Sequence, residues 1–83
     1  MLYLAEFYLP EHTALAAVAR RARAGAARAA GSGADIRFVQ AIFIPTDESC
    51  FAVYSAGSDQ DVTAAGNLAG LVFDRIVTAV CDP

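Results

Sequence analysis

Apolar positions along the chain fall into four short runs of strand type and two longer stretches of helical period. "LYLAEFYL" (2–9) is rich in Leu, Tyr and Phe and is closed by Pro10, as a strand is. In "EHTALAAVARRARAGAARAAG" (11–31), Leu15, Val18, Ala19, Ala22, Ala26 and Ala29 recur at helical spacing, and Arg20, Arg21, Arg23 and Arg28 fall mainly elsewhere. Thr13 or Glu11 serves its start and Gly31 or Gly33 its stop. A loop, "GSGAD" (31–35), leads to "IRFVQAIFI" (36–44), a second strand, and "PTDE" (45–48) connects it to a third, "SCFAVYSA" (49–56). The short connection predicts a hairpin. Ser58 reads as an N-cap with Asp59 and Asp61 in the first turn, where carboxylates suit the helix dipole, and the helix 59–69 ends at Gly70. A last strand spans 74–81.

The predicted order is βαββαβ in one domain, residues 1–83. Two helices cover one face of a four-stranded antiparallel sheet in the split βαβ arrangement and leave the other face bare. Residues 37–57 are apolar at nearly every position, whereas a sheet wetted on one side alternates. Period-two alternation, phased on Glu6, assigns Leu4, Glu6 and Tyr8 to the bare face. It adds Phe38, Gln40 and Ile42, then Cys50, Ala52 and Tyr54, then Ile76, Thr78 and Val80. The opposite set, Ala5, Phe7, Val39, Ala41, Phe43, Phe51, Val53, Val77 and Ala79, suits helix packing. Such a bare face exceeds the ~400 Å² at which an exposed apolar patch marks an interface or groove. The expectation is a homodimer, with a cavity for a small hydrophobic molecule between the subunits.

Composition sharpens this. Hydrophobic residues make up 57% and charged residues 18%, which excludes disorder and leaves an apolar surplus to be covered. No apolar run is long enough to span a membrane, and the first residues lack the basic start and cleavage site of a signal peptide, so a cytoplasmic protein is expected. A net charge of −3 argues against nucleic acid as a partner. Cys50 and Cys81 show no C-x-x-C spacing, and a disulfide is not expected in the cytosol.

The stretches "YLAEFYLP", "FVQAIFIPTDESCFAVYSAGSDQDV" and "GLVFDRIVTAV" resemble a family of small proteins identified as nickel-binding or as a domain of unknown function. Its patterns are Y-[IV]-V-E-R-x-x-P at the start, W-V-x-S-Y-V in the second strand, C-V-Y-x-A-P leading into a helix with R-E-H-A, and G-F-P-x-D-R-[IV]-x-E-V. The resemblance spans most of the chain except the first helix and its loop. It implies a ferredoxin-like fold pairing into a dimeric α+β barrel, and nickel as a cofactor. The family's first-strand glutamate falls on Glu6, its third-strand tyrosine on Tyr54, and its D-R pair on Asp74 and Arg75. The often acidic second-strand position is Gln40, the helical E-H falls on Ala64 and Ala65, the strand-three cysteine falls on Ala52 with Cys50 two places earlier, and the arginine after the glutamate is Phe7. Without the helical histidine, nickel loses a favoured ligand.

Candidate chemistry centres on Glu6. It is either edge-exposed or salt-bridged, to Arg37 or Arg75, or a carboxylate in an apolar cavity that moves protons. Two function classes follow. One is a binding protein whose ligand contacts are Gln40, Phe38, Ile42, Cys50, Tyr8 and Thr78. The other is a cofactor-free isomerase, cyclase or small oxygenase of biosynthesis, with Glu6 and Tyr54 as catalytic residues and Gln40 orienting a carbonyl or hydroxyl. His12 is the single histidine, and with no H-x-x-x-H, H-E-x-x-H or cysteine pair, no metal site is predicted and no cofactor is required. The order βαββαβ is shared by RNA-recognition domains, but their glycines and leading basic residue are missing from "CFAVYSA".

Overall fold

The structure is a computed structural model that describes residues 1–82. Strands β1 (Leu2–Tyr8), β2 (Ile36–Ile44), β3 (Ser49–Ala56) and β4 (Arg75–Ala79) form one antiparallel sheet in the order β2-β3-β1-β4, with helices α1 (Leu15–Gly31) and α2 (Asp59–Ala69) packed on one face. The fold is the predicted ferredoxin-like α+β arrangement.

Local chemistry sets most element ends. In α2 the Ser58 Oγ accepts from the Asp61 N–H at 3.3 Å, Asp59 and Asp61 occupy the first turn, and Gly70 closes the helix with φ 71°. The Leu71 N–H then reaches back to the Gly66 carbonyl, satisfying an end group that the helix leaves open. Between β2 and β3 a single 3-10 turn, Pro45–Asp47, is followed by Glu48 at φ 50°.

Three boundaries differ from expectation. Helix α1 starts at Leu15, because Pro10 to Thr13 form a turn in which the Thr13 N–H donates to the Pro10 carbonyl; neither Glu11 nor Thr13 caps it, and Ala14 stands at the cap without a side-chain bond. Strand β1 ends at Tyr8, and the Leu9 N–H donates to the Glu48 carbonyl. Strand β4 is an edge strand that, among the described residues, pairs with β1 alone, from Leu2↔Ala79 to Glu6↔Arg75, so Val80 and Cys81 lie beyond the ladder.

The register decides the faces. Ala5 stands opposite Ala52 and Ile76, Tyr3 opposite Tyr54 and Thr78, and Phe7 opposite Cys50. The helix-covered face therefore carries Tyr3, Ala5, Phe7, Cys50, Ala52 and Tyr54, all buried. Cys50, Ala52, Tyr54, Ile76 and Thr78 were expected on the bare face and belong here instead; Phe51, Val53, Val77 and Ala79 take the bare face. Alternation is strict within a strand, but the phase between strands is set by pairing, and a polar Tyr54 or Thr78 misleads it. On β2 a bulge between Phe38 and Gln40 resets the phase. Phe38 thus packs under the helices, Val39 is 36% exposed rather than in the core, and Gln40 and Ile42 return to the open face.

The two helices approach closely. Gly25 of α1 lies against the Ala65 carbonyl and Ala69, and Gly66 of α2 against the Phe73 ring. Beneath them, Tyr54 packs edge-on to Phe38 and Phe73 at centroid separations of 5.8 and 6.2 Å.

Candidate functional site on the open sheet face

The open face is built by alternate residues of all four strands. Leu4 and Phe51 are half-buried and Val53 is buried at its centre, while Ile42, Ile44 and Val77 are exposed toward its edges. Glu6 stands among them on a central strand, directly across from Arg75 on β4. Its Oε1 accepts from the Arg75 Nε–H at 2.9 Å, with side-chain exposures of 28% for Glu6 and 65% for Arg75. Of the two sequence readings of Glu6, the structure shows the ion pair, and the partner is Arg75. Pairing β4 with β1 brings Arg75 onto this face, and Arg37, opposite Ser55, stands on it at the β2 edge.

An ion pair with one partner this exposed is screened by water and contributes little. We predict that Glu6→Gln costs less than about 1 kcal/mol in urea unfolding at neutral pH; a loss of several kcal/mol would mean that the carboxylate holds the sheet together.

The remaining sequence-predicted site residues divide between the faces. Gln40, Ile42 and Tyr8 join Glu6 on the open face, and all three are exposed. Phe38, Cys50 and Tyr54 do not; they are 7%, 0% and 0% exposed within the core. Thr78 is aligned with Tyr3 at the sheet edge. Glu6 and Tyr54 therefore stand on opposite sides of one sheet, and a reaction needing both has no shared site. Burial pushes the Cys50 thiol up, against a smaller opposing effect of a hydrogen bond from the Phe51 backbone, so Cys50 is an inert packing group. Burial likewise pushes the Tyr54 phenol up to about 12. Its hydroxyl has no hydrogen-bond partner among the described residues.

Phe51, Val53, Ile44 and Val77 belong to the open face and were missed as such. The signal that would have found them is the small-residue row Ala5, Ala41 and Ala52, which registers three strands under the closely packed helices.

Among the described residues no group of three or more His, Cys, Asp or Glu side chains is placed to hold a metal ion. Glu6 is engaged by Arg75, and His12 lies in the turn before α1. No helix among the described residues is long and apolar enough to cross a membrane.

No family model matches the chain, and no curated protein does. Among solved structures, the crystal structure of SCO4226 from Streptomyces coelicolor A3(2) is similar over 100% of both chains, with a TM-score of 0.72 at 16% identity. This likeness supports the small ferredoxin-like α+β fold.

Proposed function

We propose that the chain is the protomer of a homodimeric small-molecule-binding protein, in which two open sheet faces meet and enclose a small apolar ligand. The observation that supports this is the open face itself, where the exposed Ile42, Ile44 and Val77 and the half-buried Leu4 and Phe51 surround Val53 in an apolar field that neither helix covers. Glu6 and Arg75 neutralise each other on this face, and Arg37, opposite Ser55, adds one exposed cation on the edge strand β2. The Glu6–Arg75 pair and Gln40 are the polar groups that would orient a ligand in an otherwise apolar cavity. The reading needs no cofactor.

Light scattering at micromolar concentration is expected to give twice the chain mass. Ile42→Asp, which sets a carboxylate on the meeting faces, is expected to give a monomer that no longer takes up an apolar fluorescent probe. A folded wild-type monomer at that concentration would overturn the proposal.

A further inference from the structure

A well-formed cavity lies away from the open face. It is a cleft of about 530 Å³ where the end of β1, the start of α1 and the α2–β4 connection meet. That volume falls within the range of small-ligand sites. Phe7, Leu9, Val18 and Leu71, all buried, form its apolar wall, and Arg21 and Asp74 line it with opposite charges.

Both charged residues are anchored and free to act. The Arg21 Nε and Nη2 donate to the Ala69 carbonyl at 3.2 and 3.0 Å, and Nη2 also donates to the Gly70 carbonyl at 3.1 Å, which ties the guanidinium to the end of α2. The Asp74 N–H donates to the Glu6 carbonyl at 2.7 Å, which fixes its backbone to β1. The neighbouring Arg75 is taken by Glu6, and among the described residues neither Arg21 nor Asp74 has an ion-pair partner. A cation and an anion thus border one apolar cleft without pairing with each other. The ligand that complements them carries both charges on a compact head and an apolar body behind it. Holding the guanidinium in advance reduces the ordering cost of binding, and the apolar wall strengthens the charge interactions.

We propose that this cleft binds an α-amino acid with an apolar side chain, its carboxylate on Arg21, its ammonium on Asp74 and its side chain against Phe7, Leu9, Val18 and Leu71. The site is complete within one chain and stands independently of the homodimer. The test is a titration of ¹⁵N-labelled protein with L-leucine, leucinamide and N-acetylleucine, followed by amide shifts. Leucine is expected to saturate with a Kd on the order of 1 mM, moving the amides of Leu9, Val18, Leu71 and Asp74. Each capped analogue lacks one charge and is expected to bind at least about tenfold more weakly, a difference of about 1.4 kcal/mol. Asp74→Asn, at an exposed loop position, is expected to weaken leucine and leucinamide about tenfold, one decade of Kd, and to leave N-acetylleucine unchanged. Equal binding of the capped analogues, shifts centred on the open sheet face, or no saturable shift by about 50 mM would each overturn the proposal.

Discussion

Gly25→Ala is expected to lower stability by about 2–3 kcal/mol and the thermal midpoint by roughly 10–20 °C. In an exposed helix this substitution is favourable by about 1 kcal/mol, because glycine has more backbone freedom to lose on folding. Here a methyl group on Gly25 would lie 2.6 Å from the Ala65 carbonyl oxygen, 2.8 Å from the Ala69 Cβ and 2.9 Å from the Ala69 nitrogen. Two of these are backbone atoms of α2, which cannot turn aside as a side chain does. The helices must separate, and the layer of Ala22, Ala26, Val62 and Ala65 beneath them loses its close contact. Total stability in a domain of this size is about 5–15 kcal/mol, so the loss is a large share. Gly31→Ala is the control: none of the described residues lies within 4 Å of its added carbon, and it should be neutral or stabilising. Urea and thermal unfolding of the two variants beside wild type check both. A Gly25→Ala variant as stable as wild type would mean that the helices are not held at this distance.

Tyr54→Phe is expected to stabilise the protein by about 1–2 kcal/mol at neutral pH, because it removes a buried hydroxyl without a hydrogen-bond partner among the described residues and keeps the ring. The ring carries the packing, wedged edge-on between Phe38 and Phe73. The same hydroxyl has a pH signature. Burial raises its pKa to about 12, above the ordinary tyrosine value near 10, so the folded state holds the proton more tightly than the unfolded chain. Below pH 10 both states are protonated and the protonation contributes nothing pH-dependent. Between about pH 10 and 12 the unfolded state loses its proton first, and stability falls as pH rises, by about 2–3 kcal/mol across the window. Tyr54→Phe should remove that part of the alkaline fall, which is read as the difference between wild-type and variant unfolding free energies at pH 8 and 11.5. A destabilised Tyr54→Phe, or an unchanged alkaline fall, would show that the hydroxyl is bonded in solution.

Where a local signal exists, element boundaries were legible in the sequence. Strands 36–44 and 49–56 and helix 59–69 stand as read, with Ser58 and Gly70 at the ends of the helix. Helix α1 offered Glu11 and Thr13 as starts, but Pro10 drew those residues into a turn instead. The site was legible in part. Glu6, Gln40, Ile42 and Tyr8 lie on the open face as expected, whereas Phe38, Cys50 and Tyr54 lie in the core. Arg21 and Asp74 drew no notice as a pair, because 53 positions separate them in the chain and only the packing of α1 beside the α2–β4 connection brings them to one cleft.

The sequence by itself determined the βαββαβ order, the antiparallel sheet with both helices on one side, and the existence of an uncovered apolar face. These follow from periodicity and capping, which act over a few residues and need no distant partner. Tertiary structure alone decided which residues form that face and which charges stand together. A strand's alternation leaves two phases open, and hydrogen-bond register to the neighbouring strand chooses between them. Register placed Tyr54 with Tyr3 under the helices and Arg75 across from Glu6, and one bulge after Phe38 turned Gln40 and Ile42 to the other side.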